Sequence, residues 1–122
     1  MSLTVVLADD AHEFRSIVRF ILNRAPETIT IVGEAADGVE ALALVLRERP
    51  HIVITDMVMP FFNGVELMRR IKEKLPETKV ILMTSYPEQT FKRLALVGGA
   101  DAFVSKAELA RDLLSTIREV SA

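Results

Sequence analysis

Residues 51–60 read HIVITDMVMP. Ile52 to Thr55 are dominated by β-branched residues, the composition of a strand. The run goes straight into a carboxylate, Asp56, and is closed by Pro60. A charge is costly inside an apolar core. Asp56 therefore belongs at the open end of a strand, and the rest of the chain must say what that end faces.

The chain has 122 residues and a net charge of −2, and half of its residues are hydrophobic. That length suits one domain over residues 1–122 with a sizeable core. The near-balanced charge predicts no direct nucleic-acid binding and no attraction to a membrane surface. There is no cysteine, hence no disulfide or thiolate site. No stretch approaches the about 18 apolar residues of a membrane span. The first residues, Met1-Ser2-Leu3-Thr4, lack the basic and apolar regions of a signal peptide. A cytoplasmic location is expected.

Outward from Asp56, β-rich runs alternate with segments of helical spacing. The runs are Thr4–Ala8, Ile29–Glu34, His51–Thr55, Lys79–Thr84 and Ala102–Val104. The first helical segment carries Phe14, Ile17, Val18, Ile21 and Leu22 on one face and stops before Pro26. The second runs from Asp37 to about Glu48, with Val39, Leu42, Val45 and Leu46 expected inward. The third starts near Asn63-Gly64, buries Val65, Met68 and Ile71, and stops before Pro76. The fourth starts near Pro87 and reaches Val97 before Gly98-Gly99. The fifth runs from about Glu108 to Val120 with a stripe of Leu109, Leu113, Ile117 and Val120. Five repeats of strand and helix mean an α/β fold: a five-stranded parallel sheet with helices on both faces. Val5-Val6-Leu7 and Val80-Ile81-Leu82-Met83 are unbroken apolar runs, as in strands buried on both sides. The short last run suits a sheet edge.

In such sheets ligands bind at the carboxyl ends of the strands. Here those ends carry Asp9-Asp10, Asp56, Thr84 and Ser105-Lys106. Three carboxylates at close range repel unless a proton or a cation joins them. An all-oxygen site with water access suits Mg²⁺. Asp56 can then act as a nucleophile toward a phosphoryl donor. The charge on the transferring group would be met by Mg²⁺, Lys106, the Thr84 hydroxyl and backbone N–H groups.

The set of motifs resembles the receiver domain of bacterial two-component response regulators. The matching residues are Ala8-Asp9-Asp10, then Asp56-x-x-Met59-Pro60-x-x-Asn63-Gly64, then Met83-Thr84-Ser85, then Gly99-Ala100-Asp101-x-Phe103-x-x-Lys106. Glu34-Ala35-Ala36-Asp37-Gly38-x-Glu40-Ala41 is a looser match. The resemblance covers the whole chain in order. It implies the flavodoxin-like strand order 2-1-3-4-5. It implies that Asp56 accepts phosphate from a histidine kinase or phosphotransfer protein. Asp10 would bind Mg²⁺ directly, Asp9 largely through water, and Asp56 and the backbone oxygen of Val58 would complete the protein ligands. Thr84 and Lys106 would hold the phosphoryl group, and Phe103 would turn inward when Thr84 moves. Val58 and Tyr86 would flank the path of the hydrolytic water and tune dephosphorylation.

On this resemblance the protein is a signalling switch rather than a turnover enzyme, catalysing only its own phosphorylation and dephosphorylation. Its output would pass through the fourth helical segment, the fifth strand and the fifth helical segment, with Lys92, Arg93, Leu96 and Arg111 as readout residues. Its partner there would be a downstream effector domain or protein, or a second copy through the same surface. The ending Gly98 to Ala107 loosely resembles receivers attached to helix-turn-helix transcription factors. Two other readings share the sheet. A metal-dependent phosphotransferase or phosphatase with an aspartyl nucleophile would place an acid two residues after it, where this chain has Val58. A flavodoxin-like FMN module would need a Ser/Thr/Gly-rich loop where this chain has Ala8-Asp9-Asp10-Ala11.

Plainer roles stand beside these. An Asp-Asp pair is often a turn or helix cap. His12 and His51 read as surface or helix-start residues, and Arg69, Arg70, Lys72 and Lys74 as a solvated helix face. Two positions depart from the family pattern. Ala107 replaces the usual proline after Lys106; a cis bond there would cost roughly 2.5–4 kcal/mol, so a trans bond is expected. Phe61-Phe62 is apolar for a loop beside an acidic rim, and reads either as packing under the loop or as a docking contact for the kinase.

Overall fold

A computed structural model of the chain describes residues 2–61, 63–85 and 99–122. The strands are β1 (Ser2–Ala8), β2 (Thr28–Ala35), β3 (Ile52–Asp56), β4 (Lys79–Thr84) and β5 (Ala102–Ser105). They pair in parallel in the order β2-β1-β3-β4-β5, so the expected 2-1-3-4-5 order holds. The described helices are α1 (His12–Asn23), α2 (Gly38–Glu48), α3 (Gly64–Lys74) and α4 (Leu109–Ser121). α4 is the fifth helical segment of the sequence, entered through a 3₁₀ turn at Lys106–Glu108. The fourth segment, with Lys92, Arg93 and Leu96, lies outside the described residues, as do Phe62 and Tyr86.

The two faces of the sheet follow from side-chain alternation. Val6, Ala8, Val53, Val80 and Leu82 pack with Ala41, Leu44 and Val45 of α2 and Leu67, Met68 and Ile71 of α3. Val5, Leu7, Ile52, Ile54, Ile81 and Met83 pack with Val18 and Leu22 of α1 and Leu109, Leu113 and Ile117 of α4. Each fully buried aliphatic side chain contributes about 1.5–3 kcal/mol. Among the described residues both faces of the sheet are packed with apolar side chains, and the acidic groups sit at the strand ends.

The inward face of α2 is rotated from the sequence reading. Val45 is buried and Leu42 packs against the core as expected, but Val39 and Leu46 are exposed and Ala41 and Leu44 are buried in their place. The Leu44 side chain packs directly over Gly33, where a β-carbon would fall 2.6 Å from it. On α1, Ile17 is likewise exposed.

Helix starts fall where short polar side chains precede apolar runs. Asp37 Oδ1 accepts from the Glu40 N–H at 2.8 Å, and Asn63 Oδ1 from the Glu66 N–H at 2.9 Å. Asp101 anchors the sheet edge: its Oδ2 accepts from the Val80 N–H at 2.8 Å and from Lys72 Nζ at 2.7 Å. Lys72 is therefore partly drawn from the solvated face expected for it. His51 does a similar job between β1 and β3, its ring Nδ1 accepting from the Thr4 N–H at 3.0 Å.

Candidate functional site

Asp56 is the last residue of β3, one position further into the strand than the sequence suggests, and 8% exposed. Asp9 follows β1 directly and is 1% exposed, whereas Asp10 faces solvent. One carboxylate oxygen from each lies within 4.8 Å of the others, the spacing of a shared cation site. Asp10, Asp56, Val58, Thr84 and Ser85 line a cleft of about 180 Å³ at this rim.

The loop after β3 is shaped by contact. The Gly64 N–H donates to the Met57 carbonyl at 2.9 Å. A β-carbon on Gly64 would fall 2.2 Å from the Asp56 carbonyl oxygen, so only glycine lets α3 begin this close to the site. The Gly38 N–H holds the Pro60 carbonyl at 3.3 Å. Phe61 sits in the left-handed region at φ 74° and is 82% exposed, which shows that its ring does not pack under the loop.

Lys106 reaches the acids from the end of β5. Its Nζ is 2.7 Å from Asp9 Oδ2 and 3.4 Å from Asp56 Oδ2, with the side chain only 6% exposed. The contact with Asp9 is a charge contact made off the hydrogen-bonding direction, and Asp9 Oδ2 makes no hydrogen bond. The other oxygen of Asp9 has a structural task, accepting from the Ala11 N–H at 2.8 Å. The turn role of the Asp pair and its charge role thus fall on different oxygens of one residue. The Lys106–Ala107 bond is trans, as expected, and the Ala107 N–H donates to Ser105 Oγ at 3.3 Å.

Burial first, and the Asp9 carboxylate second, hold the Asp56 pKa above its ordinary value. Lys106 and the Val58 N–H pull it down. One ammonium among three carboxylates leaves excess negative charge, and Asp9 Oδ2 is a buried acceptor with room in its coordination. An oxygen-rich, anionic, partly wet cluster fits a hard divalent cation such as Mg²⁺.

Thr84 is 1% exposed at the end of β4 and shares the cleft. Phe103 is half-buried against the core on the α2–α3 face. Val58 is 63% exposed over the cleft. His12 opens α1.

The contacts of four neighbours escaped the sequence reading. Arg15 donates to the Asp9 carbonyl at 2.5 Å and to Glu34 Oε1 at 3.2 Å, while Arg19 holds Glu34 Oε2 at 2.6 Å. Opposite charges on α1 and on the neighbouring strand end were the available signal. Phe14 places its ring 4.0 Å from Lys106 Nζ. Its apolar side chain gave no signal beyond core packing.

Residues 5–118 match the family model described as the response regulator receiver domain. The chain belongs to this family. The receiver is 34% identical over 114 residues to the transcriptional regulatory protein YhcZ of Bacillus subtilis, covering 93% of this chain and 53% of that protein. It is 32% identical over 121 residues to the response regulator VraR of Staphylococcus aureus, covering 99% of this chain and 57% of that protein. A LuxR-family two-component response regulator from Aurantimonas sp. SI85-9A1 superposes with a TM-score of 0.92 at 28% identity, covering 98% of this chain and 85% of that one. The chain spans little more than half the length of these curated relatives. Receiver domains of response regulators are signalling switches. Among the described residues, no helix is long and apolar enough to cross a membrane.

Proposed function

We propose that residues 1–122 act as one receiver domain, a switch thrown by phosphorylation of Asp56. The observation that carries this reading is the Lys106 ammonium held between Asp9 and Asp56 at 2.7 and 3.4 Å, with Asp56 lining a cleft that also contains Thr84. An Asp56 carboxylate oxygen forms the bond to phosphorus as the donor's phosphorus–nitrogen bond breaks, and the donor nitrogen leaves with a proton. Lys106 and the Thr84 hydroxyl meet the charge of the phosphoryl oxygens. Asp9, Asp10, Asp56 and the backbone oxygen of Val58 would hold Mg²⁺, which supplies charge neutralisation at those oxygens when bound. The donor is a histidine kinase or phosphotransfer protein. Phe103 and the surface of β5, α4 and the 87–97 segment carry the change to an effector, either a further domain, as the transcription-regulator names of the relatives suggest, or a separate protein or second copy. The domain catalyses only its own labelling and hydrolysis, in the cytoplasm.

The test is incubation with phosphoramidate and Mg²⁺ followed by mass spectrometry. One phosphoryl group on Asp56, absent from Asp56→Asn and from samples with EDTA, is expected. Equal labelling of Asp56→Asn, or labelling indifferent to EDTA, contradicts the reading.

A further inference from the structure

Lys106 has a third neighbour besides its two carboxylates. Its Nζ stands 4.0 Å from the centroid of the Phe14 ring, well inside the about 6 Å reach of a cation–π contact. The pairing has an internal comparison. Arg24 lies 5.3 Å over the Phe20 ring, but Phe20 is 61% exposed, and water screens that contact. Lys106 is 6% exposed, so its ammonium has lost most of its water, and the negative face of a ring then counts for more.

We infer that Phe14 is a positioning residue for Lys106: its ring and the Asp9 and Asp56 carboxylates form a three-sided cage that fixes the ammonium where the phosphoryl group of Asp56 is to form. The inference rests on the proposed role of Lys106 at Asp56. A lysine carries its charge on a flexible four-carbon stem, and holding it costs rotamer entropy. The backbone under it is a single 3₁₀ turn, Lys106–Glu108, tied by the Ser105 hydroxyl. The ring restricts the far end of the stem, which that turn does not reach. Phe14 comes from α1, immediately after the Asp9–Ala11 turn, so the same segment sets both the acid and the ring that lie against Lys106. Its neighbours in the apolar stripe, Val18 and Leu22, are buried in the cluster with Leu109, Leu113 and Ile117. A core role alone requires volume at position 14; the cage requires an electron-rich face.

That difference decides the experiment. Phenylalanines with one, two and three ring fluorines are placed at position 14, which weakens the negative face stepwise at nearly constant shape. The rate of Asp56 labelling by phosphoramidate at saturating Mg²⁺ is measured beside Phe14→Tyr and Phe14→Leu. The rate is expected to fall with each fluorine, by about threefold to tenfold at three. Phe14→Tyr should stay near wild type, and Phe14→Leu should match the trifluoro protein although its thermal unfolding remains cooperative. Wild-type labelling with a flat fluorine series, or Phe14→Leu at the wild-type rate, overturns the positioning role alone. No labelling of Asp56 in any of the proteins, wild type included, overturns the proposed function and this role with it.

Discussion

The Lys106 ammonium lies 2.7 Å from Asp9 Oδ2, with the two side chains 6% and 1% exposed. A buried ion pair adds little net stability, because desolvation offsets the attraction. Breaking it by removing one partner is different, since the other charge is left buried alone.

Lys106→Met keeps the apolar stem and removes the charge. Without Mg²⁺ it should lose roughly 3–5 kcal/mol of stability in urea unfolding. Added Mg²⁺ should return part of that loss by binding the same carboxylates. Labelling of Asp56 should become slow at every Mg²⁺ concentration, because the metal cannot replace the ammonium at its own position. A variant as stable as wild type without Mg²⁺ would show that the pair does not balance the acids.

Asp56 should make the folded protein less stable as pH rises. Its raised pKa means that the folded state keeps this proton to higher pH than the unfolded chain does. Between the unfolded pKa and the raised folded one, the folded state binds more protons, so stability falls as pH climbs through that window and stays lower above it. Asp56→Asn removes this slope and should melt a few degrees higher at neutral pH without metal. Thermal melts of both proteins across the acidic range read the difference directly. A steeper fall in the variant would reverse the sign and refute the account of Asp56.

Gly64→Ala forces a β-carbon to 2.2 Å from the Asp56 carbonyl oxygen, a backbone atom that cannot swing away. The cost should be roughly 1–3 kcal/mol. Labelling of Asp56 should drop as well, because relief comes only from moving the loop that carries it. Chemical denaturation and the labelling rate should therefore fall together.

Phe61 holds a left-handed backbone that suits glycine or asparagine, with its ring in solvent. Phe61→Gly should gain about 1 kcal/mol by relieving that strain. If the exposed ring is kept for docking, the variant should accept phosphate from phosphoramidate normally and from its kinase slowly. Normal transfer from both donors removes the docking role.

Val58 is exposed over the cleft and has no hydrogen-bonding side chain to orient a hydrolytic water. The phosphoryl group should therefore be long-lived. Val58→Asn and Tyr86→Ala should each speed phosphate loss. Rates unchanged or slowed in both would exclude shielding by these side chains.

The strand ends were legible because an apolar run that stops at a carboxylate has few physical explanations. Asp9, Asp10, Asp56, Thr84 and Lys106 were named from that logic, and the structure gathers them at one rim. On α2, Val45 and Leu42 pack inward as expected, but Val39 and Leu46 were misread because they are more apolar than Ala41, whereas it is Leu44 that packs over Gly33. Arg15, Glu34 and Phe14 were missed because their contacts run between segments that periodicity treats one at a time. The His51–Thr4 bond is of the same kind: a ring nitrogen that completes a strand ladder leaves no pattern in sequence.

Phosphate on Asp56 should change a surface away from the site. Amide NMR spectra of ¹⁵N-labelled protein with Mg²⁺, before and after adding the phosphate mimic beryllofluoride, test it most directly. The account predicts shifts at Phe103 and Val104 of β5 and at Arg111 of α4, absent from Asp56→Asn. Shifts confined to Asp10, Val58, Thr84 and Ser85 around the cleft would contradict it.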